Sequence, residues 1–165
     1  MSTPAMSAEG LTKTFRTPGG GNLTACEDVS VELTQGRTVA IVGESGSGKS
    51  TLLRMLTGLE RPTSGRVLLG EQEIQDVRGS LLREVRRHVQ MVFQDPLSAL
   101  TPVYTVGAQI VEALRIHQPG MSEADAHKRA VELLDLVGIP NPQVRAKAYP
   151  HEFSGGMRQR AVIAI

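Results

Sequence analysis

Residues 43–51 read "GESGSGKST". The stretch matches G-x-x-x-x-G-K-[ST], the pattern of a phosphate-binding loop. Gly43, Gly46 and Gly48 let the backbone take turns closed to residues with a Cβ, and let it approach a phosphate closely. The N–H groups of the loop, from Gly43 through Ser45 and Gly46 to Thr51, converge on the β-phosphate. The helix that follows adds its positive end. Lys49 reaches the β- and γ-phosphates, and the Ser50 hydroxyl can ligate Mg²⁺. The motif needs a strand before it and a helix after it. Val39-Ala40-Ile41-Val42 runs apolar without alternation, which predicts a strand buried on both faces. Leu52, Leu53, Leu56 and Leu59 fall at helical spacing, with Gly58 near the end, which predicts a helix over 50–59.

Outward from the loop, Val29, Val31 and Leu33 alternate with polar residues as on a half-buried strand. Thr34-Gln35-Gly36 is a turn, and "GGG" at 19–21 is a loop after an earlier strand. "RPTSG" at 61–65 reads as a loop, and "RVLLGEQEI" at 66–74 as strand, glycine turn, strand. "HVQMVFQDP" at 88–96 reads as a short strand cut by Pro96. From Thr105 the pattern turns helical. Val106, Ile110 and Leu114 follow a Thr105 cap. Ser122-Glu123-Ala124-Asp125 resembles a capping box ahead of Ala126, Ala130, Leu134 and Val137. Gly138 and Pro140 end that helix.

The bulk composition excludes several classes. The 165 residues suffice for one domain with a core, which must be aliphatic because aromatics are 3%. Lys and Arg number 18 against 17 Asp and Glu, so no basic excess predicts nucleic-acid binding. The basic residues Arg83, Arg86 and Arg87 read as a solvated face. The single Cys26 forms no internal disulfide and reads as a small, partly buried hydrophobe. The N-terminus lacks the apolar core of a signal peptide, and no stretch approaches the ~20 apolar residues of a membrane helix. The four histidines, His88, His117, His127 and His151, lack metal-ligand spacing.

Three further stretches narrow the reading. "VFQDP" at 92–96 places Gln94 where its amide meets a Mg²⁺ and an attacking water. "EFSGGMRQR" at 152–160 places Ser154 as the cap of a second helix start, with Gly155 and Gly156 behind it. Phe15, in "LTKTF", is an aromatic placed to stack on an adenine. In this order and spacing the chain resembles the ATP-binding subunit of ABC transporters, from about Leu11 to Ile165. The phosphate loop, the Q-loop at Gln94 and the signature at 153–157 all match, and Phe15 matches the aromatic A-loop position. Phe153 stands where the signature has Leu, and Met157 where it has Gln, which removes an amide near the nucleotide.

The resemblance implies an α/β fold of the P-loop NTPase class. It has an antiparallel β-subdomain with the phosphate-loop core (about 8–96), a helical subdomain (about 97–153) and a signature helix (154–165). It implies ATP and Mg²⁺ as ligands, with Lys49 and Gln94 catalytic and Ser50 and Gln94 at the metal. Ser154, Gly155, Gly156 and Met157 would contact the ATP held by a second, identical or related subunit. The implied partners are transmembrane permease subunits and, indirectly, an extracytoplasmic solute-binding protein, with no nucleic acid, at the cytoplasmic face of the membrane. "MVFQDPLSALTPVYTVGAQI" and "YPHEFSGGMRQR" resemble the dipeptide and oligopeptide importers, with nickel importers as the alternative. A soluble, non-transport ABC ATPase and a catalytically incomplete nucleotide-binding fragment are the readings from other classes.

In that family a strand ending in Asp-Glu, and a later His, follow the signature and drive hydrolysis. No such run occurs in these residues. Asp95 precedes Pro96 in the Q-loop, and Asp135 reads as an ordinary helix residue. The resemblance therefore implies a chain cut short, with part of the core sheet missing. The expectation is nucleotide binding without transporter-like hydrolysis, and a marginal fold when alone.

Overall fold

The computed structural model describes residues 4–93 and 99–165. The chain divides into two compact units, Met1–Gln90 and Met91–Ile165.

The first unit is built on a four-stranded antiparallel sheet in the order β2-β1-β3-β4. β1 (Met6–Arg16) and β2 (Asn22–Leu33) pair from Met6↔Leu33 to Arg16↔Asn22. β3 (Ser64–Leu69) pairs with the other edge of β1, and the short β4 (Gln72–Glu73) follows a Gly70 turn. The alternation at 29–33 and the strand–turn–strand reading at 66–74 both hold. Arg66 crosses the sheet surface to Glu9 at 2.7 Å and Glu73 at 3.5 Å. Its hydrogen bond to Glu9 heads the causes that hold its pKa above the ordinary value.

α1 (Lys49–Leu56) lays Leu52, Met55 and Leu56 into the core formed with Met6, Ala8, Leu11 and Val67. It stops three residues short of the expected end, because Thr57 leaves helical geometry and Gly58 turns left-handed at φ 67°. Leu53 and Leu59 stay exposed. A further helix, α2 (Gly79–His88), buries only Val85 fully. Leu81, Leu82 and Val85 fall on one side of it, a short helical pattern set among charged residues. Arg83, Arg86 and Arg87 are exposed on it, as a solvated face requires.

Two expected strands do not form among the described residues. Residues 38–43 form no strand, and Val42 is 92% exposed. An apolar run of this kind needs neighbouring strands on both sides, and the sheet here offers it none. His88 closes α2 and 89–93 are irregular; the rest of that expected strand, Gln94 to Pro96, lies outside the described residues.

The second unit is helical. α3 (Val106–His117) and α4 (Glu123–Leu136) begin at caps whose hydroxyls accept backbone N–H groups: Thr105 from Ala108 and Ser122 from Asp125. α5 (Pro142–Arg145) and a 3₁₀ turn (Pro150–Glu152) lead to α6 (Gly155–Ala164). Val106, Ile110, Ala126, Ala130, Leu134, Phe153 and Ala161 share one core. The buried Gln109 amide accepts from Thr101 N and donates to the Thr101 and Tyr104 carbonyls, at 2.8–3.0 Å. It holds residues 101–104 onto α3 as a strand neighbour would.

Candidate functional site: the phosphate loop

The loop at 43–51 owes its shape to a few constraints. Ser47 N donates to Glu44 O at 3.2 Å, closing a turn. Gly46 (φ 84°) and Gly48 (φ 89°) are left-handed, a region that favours glycine. At Gly48 a side chain has no room, since a Cβ would stand 2.9 Å from Cys26 Sγ and nearer still to the Ala25 carbonyl. Gly43 has an ordinary φ, but a Cβ there would stand 2.8 Å from Ser47 Oγ. β2 is thus packed directly under the point where the loop becomes α1.

Gly48 is the N-cap of α1 and supplies no side-chain cap. The N–H groups of the first turn therefore keep no side-chain acceptor from their own cap, which leaves an anion-binding helix start. The Ser50 side chain is exposed at that start. Lys49 arches back over the loop. Its Nζ donates to Gly43 O at 2.9 Å and Glu44 O at 2.5 Å, with Ser47 Oγ at 3.4 Å. An ammonium has three donors, so it spans the loop mouth where a phosphate oxygen would enter.

Beside the loop lies a cavity of about 430 Å³, lined by Thr24 to Glu27 of β2, Ile41 and Val42, and Ser47, Gly48 and Lys49. Cys26 Sγ donates to Gly48 O at 3.4 Å. Burial pushes the thiol's pKa up, partly offset by the Leu52 backbone N–H. The cysteine is the small buried residue expected, and it also supports the loop.

Phe15 is 36% exposed on β1 and does not line this cavity. Gln94 lies outside the described residues. Ser154, Gly155, Gly156 and Met157 belong to the second unit. There Ser154 Oγ accepts from Met157 N at 3.3 Å and caps α6. Gly155 and Gly156 have ordinary φ, and added Cβ atoms would meet nothing within 4 Å. Phe153 is buried, taking the apolar place of the usual leucine. Asp135 is exposed on α4, as expected of an ordinary helix residue. All four histidines are exposed, and no cluster of three His, Cys, Asp or Glu side chains occurs among the described residues.

A family model described as ABC transporter matches residues 26–165. The chain belongs to the ABC transporter family. This ABC chain is 48% identical over 167 residues to the oligopeptide transport ATP-binding protein OppD of Mycobacterium tuberculosis, covering 99% of itself and 27% of that protein. It is 45% identical over 166 residues to the dipeptide transport ATP-binding protein DppD of Bacillus subtilis, covering 97% of itself and 49% of that protein. The chain spans between about a quarter and a half of the length of such curated relatives. A solved dimer of the ATP-binding cassette MJ0796 with ADP and Pi shares 31% identity at a TM-score of 0.84, over 96% of this chain and 67% of that one. The fold is therefore that of ABC ATPase cassettes. Among the described residues no helix is long and apolar enough to cross a membrane.

Sequence reading missed three residues that shape the two units: Lys13, Gln109 and Arg160. Their signals are weak in a linear chain, because each acts through partners distant in sequence or through backbone carbonyls.

Proposed function

We propose that this chain binds ATP with Mg²⁺ at the 43–51 loop and supplies the nucleotide grip of a peptide-importing ABC transporter. The observation that carries this is the Lys49 ammonium poised over a loop that has two left-handed glycines and opens a helix N-terminus. The likeness to OppD and DppD supports peptides as the cargo of the whole machine, with nickel the lesser alternative. The cargo itself would touch the permease and the solute-binding protein, not this chain.

The residues fit the nucleotide. The loop amides and helix start favour anionic oxygens, and a Cβ at Gly43 would crowd Ser47 Oγ inside the loop. Lys49 would exchange its bonds with Gly43 and Glu44 for bonds to the β- and γ-phosphates. Mg²⁺, when bound, would neutralise developing charge on those phosphates. The exposed Ser50 hydroxyl is this chain's described candidate to hold it, and Gln94 the second. Phe15 would stack on the base. Catalytic roles for Lys49 and Gln94 belong to the same reading, and hydrolysis would require the complete machine.

The Ser154 helix start would meet the nucleotide of a second subunit. Nothing inside its own unit requires glycine at 155 or 156, since both have ordinary backbone angles and open space above them. A bare face of that kind suits close approach by another molecule. The MJ0796 cassette, solved as a dimer, supports such an arrangement.

Lys49→Ala tests the reading. Equilibrium binding should show ATP affinity falling at least about tenfold, as loss of a charge-assisted contact predicts. Thermal stability should change little, and peptide uptake by cells carrying the variant should stop. Unchanged ATP affinity would refute the site; lost ATP binding with persisting peptide uptake would refute the transport role.

A further inference from the structure

Lys13 makes an unusually complete set of contacts for a lysine on an outer strand segment. Its Nζ lies 2.5 Å from Glu60 Oε1 and donates to Arg61 O at 2.6 Å. The same ammonium stands 5.0 Å from the centre of the Phe15 ring. Its side chain is only 13% exposed, so water screens these contacts less than at an ordinary surface pair.

The two polar partners lie just past α1. Leu59 N and Glu60 N both donate to Arg54 O, at 2.8 and 3.0 Å, which fixes that turn to the end of the helix. α1 begins at Lys49. One ammonium therefore ties the Phe15 ring to the far end of the phosphate-loop helix. The strand ladder links them again. Lys13 is paired with Cys26, which touches Gly48, and Phe15 with Leu23. Phe15 thus stands two residues, about 7 Å, along β1 from the rung beneath the loop.

The geometry points to Lys13 as a positioning residue: it closes one face of Phe15 and fixes the ring, so that the other face serves a nucleobase and the site prefers nucleotides to base-free triphosphates. This rests on the proposal that Phe15 meets the base. A cation over a ring is held by the ring's quadrupole, most strongly when desolvated. Because Glu60 already neutralises Lys13, the pair adds little field at the phosphates. Its loss should weaken recognition of the base and leave that of the phosphates.

The experiment compares Mg-ATP with Mg-tripolyphosphate, titrated into the full chain. Base stacking on an aromatic is worth about 5- to 100-fold in affinity. Phe15→Ala should weaken ATP binding within that range and leave tripolyphosphate within about twofold. Lys13→Met should weaken ATP by a smaller factor, again without moving tripolyphosphate, and should add nothing in a Phe15→Ala background. Lys13→Arg, which keeps the cation, should restore most of the affinity. Glu60→Gln, which loosens the clamp from its other end, should act in the same direction as Lys13→Met. If Lys13→Met and Glu60→Gln leave ATP affinity intact while Phe15→Ala lowers it, the role of Lys13 is overturned and base stacking stands. If Phe15→Ala changes nothing, the stacking reading falls with it. Equal losses for both ligands in Lys13→Met would mark a merely structural lysine and overturn the inference.

Discussion

Arg160, on α6, donates from Nη1 to the carbonyl of Gly138, the residue that ends α4, and to Val137 O at 3.4 Å. A cation at a helix C-terminus satisfies its last carbonyls and complements its dipole. Gly138 is left-handed at φ 72°, and a Cβ there would stand 3.1 Å from Arg160 Nη1. Arg160→Ala should cost about 1–2 kcal/mol. Gly138→Ala should cost about as much from its backbone alone. The double variant should cost less than the sum, because both act on one contact. Urea unfolding followed by circular dichroism would read this, and strict additivity would count against the contact.

The two left-handed glycines of the phosphate loop should not behave alike. Gly46→Ala meets open space and should suffer only the backbone penalty of about 1–2 kcal/mol. Gly48→Ala carries the same penalty and also drives a Cβ into Ala25 and Cys26. It should melt earlier and bind ATP more weakly than Gly46→Ala. Equal melting temperatures would contradict the packing of β2 beneath the loop.

Burial raises the Cys26 thiol's pKa, so the folded state favours the protonated form. That contribution to stability is fully present below the unfolded thiol's pKa and is lost as pH rises through the folded value. Thermal melts between about pH 8 and 10 should fall more steeply for the native chain than for Cys26→Ala. At neutral pH, alkylation of Cys26 should be slow until denaturant is added. Alkylation as fast as that of a free thiol would show that β2 does not seal against the loop.

The Ser154 helix start separates folding from encounter. Ser154→Ala should cost about 1 kcal/mol, as Ser122→Ala should, because each removes a cap. Gly155→Ala and Gly156→Ala should instead stabilise by about 0.4–1 kcal/mol, since their backbone angles are ordinary and the space is open. If these more stable variants also lose peptide uptake, the glycines serve an approaching partner. Unimpaired uptake in both would refute that role.

The fold was legible wherever its signal was local. Thr105, Ser122 and Ser154 each announce a helix start, because a hydroxyl and the N–H three residues on are neighbours in sequence. Gly46 and Gly48 announce the loop for the same reason. Val39 to Val42 misled, because an apolar run records the surroundings a strand is suited to, and among the described residues no strand lies beside these. α2 carries its helical signal in Leu81, Leu82 and Val85 alone, a pattern too short to stand out among its charged neighbours. Lys13 and Arg160 escaped because each meets backbone carbonyls 48 and 22 residues away, which carry no side-chain signature.

The bare segment 38–43 has a consequence for isotope labelling. Among the described residues none of its amides donates to another backbone group, whereas residues 6–12 of β1 pair with strands on both sides. In heavy water the segment should take up deuterium at close to the rate of an unprotected chain, while β1 resists. Its uptake rate therefore becomes a local gauge: the moment a neighbouring strand pairs beside Val42, exchange there slows, residue by residue.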